Sequence, residues 1–358
     1  MKEYRIAAIP GDGIGAEVIE AGLRVLDALQ EREEGFRLAV DSFPWGSDHY
    51  LEHGCMMPEG GLQALEKFDA IYFGSAGDPR VPDHITLWQL RLAICQGFDQ
   101  YANVRPSRLL DGISSPLRGV GPERLNWIIV RENSEGEYSG IGGRSHRGTP
   151  LEVGTDVSVF TRKGVERIMR FAFDLARSRP RKMLTVVTKS NAQRHGMVMW
   201  DEIFEIVKAD YGDVKTDKML VDAMTTRMVL KPESIDVVVA TNLHADILSD
   251  LAAALSGSMG IAPTANLNPE GYYPSMFEPI HGSAFDITGQ GIANPIGALW
   301  TASMMLEHLG EAAAAGRLMT AIERVTNAGK VLPRDLGGTA TTLEVADAVI
   351  AAIHGAND

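Results

Sequence analysis

Cysteine is nearly absent: Cys55 and Cys95 are the only two among 358 residues, and no paired spacing joins them. That argues against a disulfide framework or a cysteine-based zinc site, and makes a reducing compartment the default. Long apolar runs are missing as well. No stretch approaches the roughly 18 residues that a membrane-spanning helix needs, and the opening MKEYRIAAIPGDG holds too short an apolar run for a signal-peptide core. Positive charge is in deficit, with 34 Lys and Arg against 47 Asp and Glu, a net charge of −13. Nucleic acids and anionic membranes both require a positive footprint, so neither is expected as a partner. An anionic substrate must then be held by a local group of arginines. A soluble, cytoplasmic protein is the expectation.

What is present is an ordinary globular composition, long enough for two domains, since single cores stop growing near ~250–300 residues. Strand-like runs alternate with helical ones: YRIAAIP (4–10) before a helix at 14–30, then FRLAVDSF (36–43), a helix near 59–67, DAIYFG (69–74) and a helix at 85–96. NWIIVRE (126–132), DVSVFTR (156–162), MLTVVTK (183–189), KMLVDA (218–223) and IDVVVA (235–240) read as further strands. Helices are expected at 296–309, 311–327 and 341–353. Such alternation predicts an α/β fold with a largely parallel sheet. The Gly- and Ser-rich block 131–150 reads as a loop or short hairpin.

Several stretches carry candidate chemistry. In TNLHADILSD (241–250), Asp246 and Asp250 stand four residues apart at the start of a helix that follows a buried strand. They share a helix face, and like charges there cost a few tenths of a kcal/mol unless a cation sits between them. Asp222, at the end of the KMLVDA run, is a third carboxylate; three hard oxygen ligands without cysteine suit Mg²⁺ or Mn²⁺. His195 and His244 lie nearby as hydrogen-bonding neighbours. Arg105 in NVRP and Arg131 in VRE end probable strands, and their guanidinium forks match carboxylates. Lys189 ends an apolar strand and Tyr138 sits in a polar loop, both residue types suited to proton transfer. PGDGIGAEV (10–18) is spaced G-x-G-x-G, which fits a tight strand-to-helix turn as well as a nucleotide loop. IHGSAFDITGQGIANPIG (280–297) leaves more room for a backbone approach to a phosphate or adenine, with Asp286 able to accept from ribose hydroxyls.

Seven motifs in order, PGDGIG, NVRP, VRENSEGEYSG, VVTKSNA, VDAM, NLHADILSD and EPIHGSAFDITGQGIANP, resemble the β-decarboxylating dehydrogenases, which act on isocitrate, isopropylmalate, D-malate or tartrate. The likeness spans essentially the whole chain. It implies two α/β domains around a central cleft, not a Rossmann fold: residues 1–98 with 253–358 as a discontinuous cofactor-binding domain, and 99–252 for substrate, metal and dimer contact. It implies that Asp222, Asp246 and Asp250 bind Mn²⁺ or Mg²⁺, with Asp222 supplied by the partner subunit of a homodimer. Arg105, Arg131 and Asn191 would hold the substrate. Lys189 would take the hydroxyl proton as hydride passes to NAD, and Tyr138 would protonate the enolate left after loss of CO₂. His281, Gly282, Ser283, Ala284, Asp286 and Asn294 would hold the adenosine half, Asp286 favouring NAD over NADP. Potassium, needed by several such enzymes, is a further candidate cofactor.

The helix LRLAICQGFDQYANVRP separates the branches. Ten residues before Arg105, where the isopropylmalate branch carries an arginine, this chain has Cys95. Arg91, one turn earlier, stands where that branch sets a leucine against its isopropyl group. A cation there disfavours an aliphatic substrate and favours a small hydroxylated C4 di-acid, which is the tartrate and D-malate branch, with D-malate as main activity or 3-isopropylmalate as alternatives. A di-acid-binding regulatory protein would not need Tyr138 and Lys189, and a metal-dependent hydrolase or hydratase would not need NAD.

Overall fold

The computed structural model describes residues 1–355. The chain runs β1 (Lys2–Gly11), α1 (Gly15–Glu33), β2 (Phe36–Ser42), α2 (Ser47–His53), α3 (Gly61–Leu65), β3 (Ala70–Ser75), α4 (Asp83–Thr86), α5 (Leu92–Gly97), β4 (Ala102–Arg108), β5 (Asn126–Glu132), β6 (Gly136–Ser145) and β7 (Val153–Val159). It continues through α6 (Arg162–Ser178), β8 (Met183–Thr188), α7 (Gly196–Lys208), β9 (Lys215–Leu220), α8 (Val221–Leu230), β10 (Val237–Ala240), α9 (Asn242–Leu255), β11 (Pro263–Leu267) and β12 (Ser275–Pro279). Three helices close it: α10 (Ile296–His308), α11 (Ala312–Ala328) and α12 (Thr342–His354).

Contacts divide the chain into two compact units. The first holds Met1–Gln100, Arg108–Pro122 and Ala253–Asp358. The sequence places 99–252 together, but Arg108–Pro122 packs with the first unit. There Leu109 and Leu110 are buried and Arg108 pairs with Glu323. Strands in this unit follow the order β2-β1-β3-β12-β11, parallel except for the β11–β12 pair. The PGDGIG motif is the β1-to-α1 turn. Gly13 has φ +57°, and a Cβ there would lie 2.0 Å from the Ser283 carbonyl oxygen, so only glycine fits the approach of the two glycine-rich loops.

The second unit holds Tyr101–Ser107 and Glu123–Ala252. Its strands follow the order β4-β5-β10-β8-β9, with β5, β10, β8 and β9 parallel. VVVA of β10 is wholly buried, as expected of a β-branched strand covered on both faces. Amphipathic α6 and α7, absent from the helices expected of the sequence, cover this sheet with Phe173, Trp200 and Phe204 fully buried. β6 and β7 form a separate antiparallel hairpin that is exposed along most of its length. DVSVFTR is thus one arm of a hairpin rather than a core strand. In KMLVDA the strand ends at Leu220, so Asp222 stands in the first turn of α8.

Candidate active site

In parallel sheets the carboxyl ends of the strands gather binding groups, and the register of the second unit lines them up. Arg131 of β5 pairs with Ala240, the last residue of β10, and Thr188 of β8 pairs with Leu220 of β9. Four of the candidate residues lie at or just after these ends: Arg131, then Asp246 in the second turn of α9, Lys189, and Asp222.

Asp246 is the hub. Its Oδ1 accepts from Arg105 NH1 at 3.1 Å and from Arg131 NH1, and its Oδ2 accepts from the Tyr138 hydroxyl at 3.3 Å. The Arg131 guanidinium also lies over the Tyr138 ring, 5.3 Å from its centroid. Both arginines are buried and held from behind. Arg105 donates to Asn103 Oδ1 and to Ser249 Oγ, and Arg131 donates to Asn242 Oδ1. Buried guanidiniums so restrained keep their forks aimed at one place, which suits planar carboxylate recognition.

Asp250 follows one turn on and is exposed to water in the single chain. Partial desolvation pushes its carboxyl above the usual range, Arg105 pulls it down, and Asp246 pushes it up. Within one chain, then, the cations beside the aspartate pair are guanidiniums. Asp222 is elsewhere: its carboxylate accepts from the Lys189 ammonium, which holds it below the usual carboxylate range. No three carboxylate, histidine or cysteine side chains converge to hold an ion among the described residues. Asp246 and Asp250 nonetheless fit a divalent ion as a donor set of hard oxygens that repel each other.

Asn191 is exposed in the turn after Lys189. His195 is exposed at the start of α7, and His244 is buried, with burial lowering its pKa. Sequence reasoning passed over Asn103, Asn242, Ser249 and Glu137. Glu137 accepts from Thr241 Oγ1 and Leu243 N and so caps the start of α9. Their only signal was adjacency to charged motif residues, as in NVRP and NLHAD.

The remaining predicted residues lie in the first unit. His281 has a buried Nε2 with no partner among the described residues, and burial lowers its pKa. A Cβ at Gly282 would meet open space. These features fit a hydrogen-bonding ligand at the 281–286 loop, where Asp286 is exposed. The Ser283 carbonyl accepts from Ile14 N, and Ala284 has a positive φ of 39°. Asn294 spends its side chain on the fold, donating to Asp335 and accepting from Ile296 N. Arg91 closes a π-helical turn, Leu87–Arg91, and its Nε donates to Glu278 at 2.8 Å while its NH2 donates to Asn266 at 3.5 Å. Cys95 packs into an apolar cluster with Leu90, Ile94 and Phe98.

Residues 5–349 match the family model described as isocitrate/isopropylmalate dehydrogenase, and the chain belongs to that family of dehydrogenases. A protein of Agrobacterium vitis named probable tartrate dehydrogenase/decarboxylase is 69% identical over 357 residues, covering 100% of this chain and 99% of that one. The D-malate dehydrogenase [decarboxylating] of Escherichia coli (strain K12) is 51% identical over 356 residues, with 98% of each chain covered. Among solved structures, isocitrate dehydrogenase from Methylococcus capsulatus superposes with a TM-score of 0.89 at 33% identity, covering 98% of this chain and 99% of that one. The fold is therefore that of isocitrate dehydrogenase, as the seven motifs implied, and not a Rossmann fold.

Proposed function

We propose that this chain is an NAD- and divalent-metal-dependent dehydrogenase that oxidises tartrate and D-malate, with decarboxylation of the keto acid. The observation that carries it is the convergence of Arg105, Arg131 and Tyr138 on Asp246, which sets two carboxylate-binding forks, a proton donor and a metal-type ligand around one point. The substrate assignment draws on the names of the relatives and on Arg91, which a 3-isopropylmalate enzyme would have no use for.

A bound divalent ion on Asp246, Asp250 and Asp222 would supply Lewis acidity toward the substrate hydroxyl and carboxylate oxygens, and NAD at the 281–286 loop would accept the hydride. Arg105 and Arg131 bind the substrate carboxylates, and an incoming carboxylate takes over guanidinium N–H groups that Asp246 occupies in its absence. Lys189, in its neutral amine form, takes the C2 hydroxyl proton and becomes the ammonium. Tyr138 donates its hydroxyl proton to the enolate carbon after CO₂ leaves, with the Arg131 guanidinium supporting the phenolate. Asp286 accepts from the ribose hydroxyls and repels a 2′-phosphate.

Lys189 and Asp222 are ion-paired within one chain and leave adjacent strand ends, so they enter one site together. We place both in the site of a homodimer partner. Ile141, Val153 and Val157 on the β6–β7 hairpin, Leu230 on α8 and Ile247 on α9 are large apolar side chains exposed on the second unit, as a dimer face requires. A cytoplasmic location accords with the scarcity of cysteine, two residues in 358. Among the described residues no helix is long and apolar enough to cross a membrane.

The experiment is NADH formation with Mn²⁺ and NAD across the tartrate stereoisomers, D-malate, isopropylmalate and isocitrate. Turnover of tartrates and D-malate with isopropylmalate inert supports the assignment. Strong isopropylmalate turnover refutes the role given to Arg91, and no NADH from any di-acid refutes the dehydrogenase reading.

A further inference from the structure

Next to Arg131, but on the opposite face of β5, lies a carboxylate that no catalytic role uses. Glu132 is 1% exposed. Its Oε1 accepts from Ser134 N at 2.9 Å and from Ser134 Oγ, and its Oε2 accepts from Glu135 N at 2.9 Å. It therefore anchors the loop that runs from β5 to β6. That loop reaches the site by two routes. The Glu135 carbonyl accepts from Asn242 Nδ2 at 3.3 Å, and Asn242 Oδ1 in turn holds Arg131 Nε at 2.8 Å. Glu137 caps α9, the helix that carries Asp246, and Tyr138 follows it.

We infer that Glu132 is a titrating positioning residue: its ionised form holds the 133–138 loop so that Tyr138 and the Asn242–Arg131 pair stay aimed at Asp246. The inference deepens the proposed function, on which the kinetic part of its test rests.

The hydrogen-bond geometry shows why protonation would matter. The Glu135 N–H can only donate, so a proton on Oε2 finds no acceptor there and turns that oxygen into a poorer acceptor for the bond. A proton on Oε1 faces the Ser134 N–H, also only a donor, and must be received by the Ser134 hydroxyl. That hydroxyl already accepts from Arg167 NH2 at 2.9 Å. Every way of neutralising Glu132 thus weakens a tie to the loop. The charged groups facing it are Glu135, on the same loop, and Arg167 of α6, which reaches it through Ser134; Arg131 points to the other face of the strand. Burial first, and Glu135 less, push the carboxyl up to about 7, while the bonds from Ser134 and Glu135 N–H pull it down. The switch would fall in the neutral range.

The test is the Glu132→Gln variant, a neutral near-isostere. The wild-type kcat should fall below a pH of about 7. The variant should lose that acid limb between pH ~6 and ~8 and stay about tenfold below the wild-type alkaline plateau, the weight of one hydrogen bond to a charged group. Its melting temperature at alkaline pH should equal or exceed that of the wild type, since a buried charge has been removed. A variant that keeps the wild-type acid limb overturns the inference. So does one that loses activity and stability in parallel at all pH values, which is what a merely structural role predicts. Amide exchange of Ser134 and Glu135 in the wild-type protein gives a readout independent of substrate. Corrected for intrinsic base catalysis, protection should increase as pH rises through about 7. Unchanged protection overturns the inference, whereas switching protection in a protein inactive on every di-acid overturns only the proposed reaction.

Discussion

Asn242 holds Arg131 from behind, accepting from its Nε at 2.8 Å through Oδ1 while Nδ2 donates to the Glu135 carbonyl. The arginine is buried, so its orientation depends on this contact and on Asp246. Replacing Asn242 by Leu would leave a buried charged donor without its acceptor, a loss of about 1.5–3 kcal/mol. The expected result is a ten- to hundred-fold fall in kcat/KM, carried mainly by KM for the di-acid, with KM for NAD unchanged. Steady-state kinetics with each substrate varied in turn would check it.

Tyr138 bonds to Asp246, and Lys189 to Asp222. If the second pair serves the partner's site, Tyr138→Phe and Lys189→Met homodimers are each inactive but complement one another. Random exchange makes half the dimers mixed, each with one intact site of two, so about a quarter of wild-type turnover should return. Mixing the two variants under subunit-exchange conditions and following NADH tests this. No recovery, once exchange is verified, places all four residues in one chain's site.

Asp250 has its carboxyl pushed up, first by partial burial and then by Asp246. A divalent ion must displace the proton, so Mn²⁺ affinity should weaken as pH falls through the raised Asp250 value. Asp250→Asn should weaken Mn²⁺ binding at neutral pH and flatten this pH dependence. Calorimetric titration of Mn²⁺ into both proteins at several pH values checks the sign, and chelator treatment of the wild type should abolish turnover.

Arg91 sits on Glu278, whose carboxylate is itself buried, so a change at Arg91 acts on stability as well as specificity. Arg91→Leu should lower kcat/KM for tartrate and D-malate by about a hundredfold, the loss of a charge-assisted contact. It should also lower the melting temperature by stranding the Glu278 carboxylate. Adding Glu278→Gln should restore the melting temperature but not the tartrate activity.

Asp286 is exposed in the 281–286 loop, where like charge repels a 2′-phosphate. Asp286→Ala should therefore narrow the NAD-over-NADP preference by about tenfold or more, read as the ratio of kcat/KM values.

The strands and helices that carry the site were legible because their signals are local. VVVA followed by a helical spacing of leucines placed β10 and α9 on opposite sides of one short turn, and hence Asp246 and Asp250 together on the helix. Boundaries failed where a strand runs straight into a helix: KMLVDA looks continuous, yet β-strand geometry stops at Leu220 and Asp222 turns with α8. The 85–96 helix failed differently. A π turn at Leu87–Arg91 interrupts it, which helical periodicity alone reads as one continuous helix. Cys95 is buried among leucine and phenylalanine in an apolar cluster.

Residue chemistry, motif order and the alternation of strand with helix came from the chain itself: the family of fold, the acid pair, the two arginines, and tyrosine and lysine as candidates for proton transfer are all properties of short windows. Which group touches which is set by strand register and by long-range packing, and these belong to no window. Register brings Arg131 beside Ala240 and Thr188 beside Leu220. From that follow the closure of Arg131 on Asp246, the separate pairing of Lys189 with Asp222 and the Asn242 brace. Each joins residues far apart in the chain, at distances only the folded sheet could fix.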